Sequence, residues 1–244
     1  MNMNKPSLVL TIVLTVATVL VMPAPAQNQT PTIHPAITTT DDKEATYTHA
    51  IEKRTADILA VLGLNDSAGS NRVHDVIITQ YRSLRSWHDT NDARLKALRK
   101  QAGGTDKDQA GQAQTQIGQV QSSLKALHDQ FIARLTADLT PEQVEKVKDK
   151  MTYNKVQVTY RSYCEIVPNL TEEQKARILE LLKEAREEAM DCGSAEEKTA
   201  VFQKCKGKIN NYLSQQGHNV SKAYKDWGEK QREKSAANTN QPAQ

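Results

Sequence analysis

The sequence predicts an all-α protein, an elongated antiparallel bundle of about six or seven long, capped helices. Three observations carry this. Between residues 42 and 234 apolar side chains recur at spacings of three and four, and no alternating β-branched run is flanked by hairpin turns. Ala, Leu, Lys, Gln and Glu abound while aromatic residues make up only 5%, a balance that favours helix over sheet. Three segments also repeat one capping device: Thr140-Pro141-Glu142-Gln143, Thr171-Glu172-Glu173-Gln174 and Ser194-Ala195-Glu196-Glu197. In each, a hydroxyl accepts from the backbone N–H three residues on, and the longer side chain reaches back to the N–H of the cap.

The chain opens with Lys5, a mainly apolar stretch from Leu8 to Met22, and then Pro23-Ala24-Pro25-Ala26-Gln27. This is the plan of a secretory signal peptide, residues 1–26, with cleavage after Ala26. No Cys follows the apolar stretch to take a lipid, and no later stretch reaches the roughly 20 apolar residues of a membrane span. The expected location is therefore periplasmic or secreted, without membrane insertion. Residues 27–41, rich in Gln, Thr and Pro, read as a disordered linker, and residues 235–244 as a disordered tail. Residues 42–234 form a single helical domain.

Within that domain the first helix is expected over Lys43–Leu62, striped by Tyr47, Ile51, Ile58 and Leu62 and stopped by Gly63. Asn65 is placed to cap the second, whose stripe is Ile77, Tyr81, Leu84, His88, Asn91, Leu95 and Leu98. After the break at Gly103-Gly104 the third carries Ile117, Val120, Leu124, Leu127, Phe131 and Leu135. The helix after Thr140 is expected to run as one piece to Val167, with a stripe that shifts from Val144, Val147 and Met151 to Val156, Tyr160 and Tyr163, as though packed on two sides. The next presents Ile178, Leu181, Leu182, Ala185 and Ala189, and its Glu184–Glu188 stretch, interleaved with Lys183 and Arg186, reads as a solvated, ion-paired face. A further helix offers Val201, Cys205, Ile209, Tyr212 and Leu213, and a last short one holds Tyr224 and Trp227.

Charge and motif exclude several classes of function. Removing the leader removes Lys5 and no acid, so the formal charge falls from +3 to +2. With no basic run, nucleic acid is not an expected partner. Cys164, Cys192 and Cys205 are odd in number and lack metal spacing, so free thiols are expected, with no metal and no cofactor. No nucleophile elbow, P-loop, HExxH or dinucleotide fingerprint is present, and no catalytic residue is assigned.

Candidate binding residues fall in two groups. His88 and Asn91 interrupt an apolar stripe, and Asp92 lies one turn after His88. A buried His beside a carboxylate can act as base or ligand contact, although a hydrogen-bonded break in the packing is the plainer reading. Tyr153, Tyr160 and Tyr163, with Lys155 and Arg161 nearby, and Tyr212 beside Asn210 and Asn211 on a later helix are suited to a sugar ring or an acidic group. Ordinary packing with snorkelling cations is the plainer reading of them.

The pentapeptides Leu139-Thr140-Pro141-Glu142-Gln143 and Leu170-Thr171-Glu172-Glu173-Gln174 resemble the paired LTxxQ motifs of the Spy and CpxP periplasmic chaperone family. That family is exported, all-helical and independent of ATP, and its cradle-shaped dimers shield unfolded clients. The resemblance implies an unfolded or partner protein chain as ligand and a homodimer as assembly. A wider region, roughly Ala45 to Trp227, resembles an uncharacterised family of secreted bacterial proteins known as a domain of unknown function. Lys155–Tyr160, Val167–Gln174, Lys183–Asp191 and Lys208–Leu213 carry that likeness. It implies the same fold and compartment and assigns no site residue. The sequence thus points first to a non-catalytic periplasmic binding or chaperone-like protein. The alternative is a carbohydrate-related small-ligand protein or enzyme with a pocket around His88, Tyr160 and Tyr212.

Overall fold

A computed structural model describes residues 40–239, and the leader, most of the linker and the end of the tail lie outside the described residues. Among those residues there are eight helices and no strand. In chain order they are α1 (Thr40–Leu59), α2 (Ser67–Ala102), α3 (Lys107–Asp138), α4 (Pro141–Met151), α5 (Lys155–Ile166), α6 (Glu172–Met190), α7 (Ala195–Gln215) and α8 (Val220–Thr239). The 36 residues of α2 and 32 of α3 make a hairpin whose arms are about 54 and 48 Å long at 1.5 Å per residue.

Three apolar clusters hold these helices together. One joins α1 to α4 through Ile58, Ile77, Leu135 and Val147, and takes in Met190 from the end of α6. A second lies along the outer part of the α2–α3 hairpin, from Trp87 to Leu98 on one arm and Ala113 to Val120 on the other. The third packs α5, α6 and α7 around Tyr163, Ile178, Leu182 and Ile209. The end of α6 is therefore where the first and third clusters meet.

Local chemistry sets most helix ends. Gly63 adopts φ 65, the left-handed conformation that stops the first helical segment. All three predicted capping boxes form. Two of their glutamines also reach other elements. The Gln143 side-chain amide donates to Leu62 O at 2.9 Å, and Gln174 Oε1 lies 3.0 Å from His218 Nε2. Both LTxxQ-like pentapeptides thus serve as helix starts tied to a neighbouring turn.

The structure corrects four expectations. Asp66, not Asn65, caps α2, because its carboxylate accepts from both Ala68 N and Gly69 N. The helix expected from Thr140 to Val167 is two helices, interrupted where Tyr153 and Asn154 take φ 59 and 54. The shift of the apolar stripe is the change of direction between α4 and α5. Arg186 is ion-paired as expected but not solvated, since its side chain is only 3% exposed. The last helix is long, 20 residues.

Candidate functional site

A cleft of about 290 Å³ opens where α1, α2, the α4–α5 turn and the α6–α7 turn meet. Each element supplies its residues by simple geometry. Tyr47 and Arg54 are two turns apart on one face of α1, and Tyr81, Leu84 and Arg85 share a face of α2 at spacings of three and four. Tyr153 is offered by the left-handed turn, a conformation costly for a bulky residue. Cys192, Gly193 and Ser194 form the remaining wall with Ala195 and Lys198 of α7.

The charge on this lining has one sign: three cations, Arg54, Arg85 and Lys198, and no carboxylate. Arg85 is neutralised from outside the cleft by Glu44, 2.8 Å away, and its guanidinium stacks 4.2 Å from the centre of the Tyr47 ring. Arg54 is exposed and has no ion pair among the described residues. Lys198 is 6% exposed, and its ammonium donates to Ala189 O at 2.9 Å and Met190 O at 3.3 Å. Those carbonyls end α6, where the helix dipole favours a cation. No carboxylate lies within ion-pair distance of it among the described residues, and burial pulls its pKa down.

The neutral groups are donors. Tyr47 donates its hydroxyl to Tyr81 O at 2.8 Å. Burial pushes the Tyr81 phenol up to about 12, so it keeps its proton at neutral pH. Burial likewise pushes the Cys192 thiol up to about 11, which leaves it a weak donor and not a thiolate nucleophile.

Behind the cleft the α6–α7 turn is clamped from two helices. His88 Nε2 donates to Asp191 O at 2.7 Å, while Asp92 holds Nδ1 at 3.0 Å. The imidazole lies so close to Gly193 that a Cβ there would sit 3.0 Å from its Cγ. The Trp87 ring meets the same imidazole edge-on at 5.0 Å. From α3, His128 Nδ1 lies 3.1 Å from both oxygens of the Asp191 carboxylate. Hydrogen bonds to Asp191 and Glu187 raise the His128 pKa to about 9, so it is charged at neutral pH.

Glu187 continues this polar layer. Its carboxylate accepts from Lys148 at 2.9 Å and lies 3.2 Å from Arg186 Nη2. Burial opposes its ionisation but is outweighed by His128, Lys148 and Arg186, which bring its pKa down to about 2. Arg186 in turn binds Asp149 and Glu145 of α4, each at 2.6 Å.

The structure thus brings His88 and Asp92 to the back of the cleft, where they position the turn. Asn91 donates to Trp87 O of its own helix at 2.8 Å. Tyr153 stands on the cleft wall, and the remaining candidates lie elsewhere. Tyr160 sits beside Cys164, within electrostatic range of Lys175 near the start of α6, and Tyr212 is near Arg177. From those positions to Asp191 the helix rises about 20 Å, so the two tyrosines do not converge with His88. Lys155 is half-buried at the start of α5 and Arg161 is exposed. The residues sequence reasoning passed over are Arg54, Arg85, Lys198 and, as lining instead of core, Tyr47 and Tyr81. Their signal was two tyrosines on stripes otherwise aliphatic at those points.

Fold and site together define an all-α domain with a basic, tyrosine-lined cleft. No group of three His, Cys, Asp or Glu side chains among the described residues is placed to hold a metal. No helix among them is long and apolar enough to cross a membrane. The chain belongs to the family described as "Protein of unknown function (DUF3826)", which it matches over residues 48–233. No curated protein matches it.

Proposed function

We propose that the protein is a non-catalytic binding protein, acting after export, that holds a small anionic ligand in the cleft between α1, α2 and the α6–α7 turn. The observation that carries this is the one-signed charge of the cleft lining, Arg54, Arg85 and Lys198 with no carboxylate among the lining residues. Lys198 is held by two carbonyls and by the more distant charges of Asp191 and Glu197, with no carboxylate at ion-pair distance among the described residues, so a bound anion adds a close counter-charge. Arg54, unpaired at the rim, adds attraction and exchanges little when the ligand arrives. Catalysis finds less support, because Cys192 and Tyr81 hold their protons and Lys198 spends two of its three on carbonyls.

A chaperone-like groove finds less support still. Tyr153, Val158 and Tyr224 are the exposed large hydrophobic side chains among the described residues, on three different elements, and an unfolded client needs a contiguous apolar patch.

Titration calorimetry with sodium acetate and sodium phosphate tests the proposal. Saturable binding is expected that weakens at least tenfold in Arg54→Gln and Lys198→Met. Heats that never saturate, or affinities equal in all three proteins, remove this reading.

A further inference from the structure

Resting on that reading, we infer that the ligand is a single acidic sugar unit, a hexuronate, with its carboxylate toward Lys198 and Arg54 and its ring against Tyr153. Three features on the cleft wall select this class from among anions. The first is size. At about 290 Å³ the cleft stands at the lower limit of the roughly 300–1,000 Å³ typical of small-molecule pockets. That suits one pyranose ring, leaves most of the space empty around an acetate or a phosphate, and is too small for an oligosaccharide.

The second is the kind of group on offer. Tyr81 and Tyr153 bring aromatic rings and hydroxyls to the wall, while Tyr47 has its hydroxyl on Tyr81 O and one face under Arg85. A pyranose presents C–H groups to an aromatic face and hydroxyls at its edge, so it uses both halves of a tyrosine. A flat aromatic acid needs an apolar slot, whereas the aliphatic lining here is Leu84 and Ala195.

The third is polarity along the cleft. The capping box of α7 occupies Gly193 N, Ser194 N and Glu197 N. The Glu197 carboxylate that closes this box offsets the helix dipole, so the positive end of the cleft is set by Arg54 and Lys198. Tyr153 stands on the α4–α5 turn, a different element, held in the left-handed region with φ 59. A bulky residue kept in that conformation signals a constraint beyond the chain's own preference, and placing a ring on the cleft wall is such a constraint.

Calorimetry with the chain from residue 27 onward, using D-galacturonate, D-glucuronate, D-galactose, sodium acetate and 4-hydroxybenzoate, tests this. At least one uronate is expected to bind tenfold or more tighter than acetate, and galactose is expected to show no saturation at the same concentrations. Tyr153→Asn should bring the uronate to the level of acetate without changing acetate itself, while Arg54→Gln should weaken both. If acetate binds in the cleft but neither uronate is tighter, or if 4-hydroxybenzoate outcompetes both, the sugar-acid assignment is overturned and the anion cleft stands. If no anion binds, both fall together.

Discussion

At the residue scale, Gly193 is fixed by what stands opposite it. A Cβ would meet the His88 imidazole at 3.0 Å, and that ring cannot swing aside, because Asp191 O holds one nitrogen and Asp92 the other. Gly193→Ala should therefore cost about 1–3 kcal/mol, as over-packing does when the neighbour is immobile. Urea unfolding followed through Trp87, which touches the same ring, measures it directly, and an unchanged midpoint would show that His88 yields. Arg186 is the second case. Arg186→Met keeps the stem but leaves Glu145 and Asp149 facing each other without their shared cation. Breaking a buried pair usually costs about 3–5 kcal/mol, and the loss here should fall nearer 2–3 because Glu145 is still 44% exposed and regains water. A loss under 0.5 kcal/mol in the same unfolding experiment would show that the pairing contributes little. The burial of Arg186 was in fact present in the sequence. Leu182, Arg186 and Met190 are spaced by four on the same face, so the periodicity that identified the core also carried Arg186 into it.

At the scale of the element, what could be read from sequence was what is local. A capping box is settled within four residues, and all three formed where the hydroxyl and the Glu or Gln stood. The break between α4 and α5 was not legible, because it carries neither Gly nor Pro; Tyr153 and Asn154 enter the left-handed region under tertiary constraint. The cleft was less legible still. Its lining comes from five separate elements, and no spacing along the chain records that Tyr47, Tyr153 and Ser194 meet. His88 was found, as a polar interruption of an apolar stripe, but its part is to position the wall. The strained turn gives a prediction of its own. Asn tolerates the left-handed region far better than Tyr, and Tyr153 is 43% exposed, so its replacement loses little burial. Tyr153→Asn should leave the unfolding free energy within about 0.5 kcal/mol of the parent or raise it by up to about 1. A clear loss of stability would mean that Tyr153 is a packing residue and not one held for a ligand.

At the scale of the whole molecule, the α6–α7 turn joins two halves that otherwise have separate cores. Met190 enters the α1–α4 cluster while Ala189 stays in the α5–α7 cluster, and the polar layer of His128, Asp191, Glu187, Lys148 and Arg186 seals the same seam. That layer titrates, so stability should follow pH with a definite sign. His128 has its pKa raised from 6.5 to about 9 by Asp191 and Glu187. Its contribution is complete below about pH 6.5, where the unfolded histidine is also protonated, and is lost as pH rises through 9. Glu187 has its pKa lowered from 4.5 to about 2, so its contribution is complete above 4.5 and is lost as pH falls through 2. The unfolding free energy should thus form a plateau between roughly pH 5 and 6.5 and fall on both sides. The alkaline fall should be at most about 3.5 kcal/mol, each pKa unit being worth about 1.4, and the two limbs cannot be summed because His128 and Glu187 share one contact. His128→Gln should flatten the alkaline limb up to pH 9 while leaving the acid limb in place. Because the same turn forms the cleft wall, anion affinity in the parent should weaken over that alkaline range in parallel with stability. If the variant keeps the full alkaline loss of stability, the histidine does not hold the seam, and the coupling between seam and cleft fails with it.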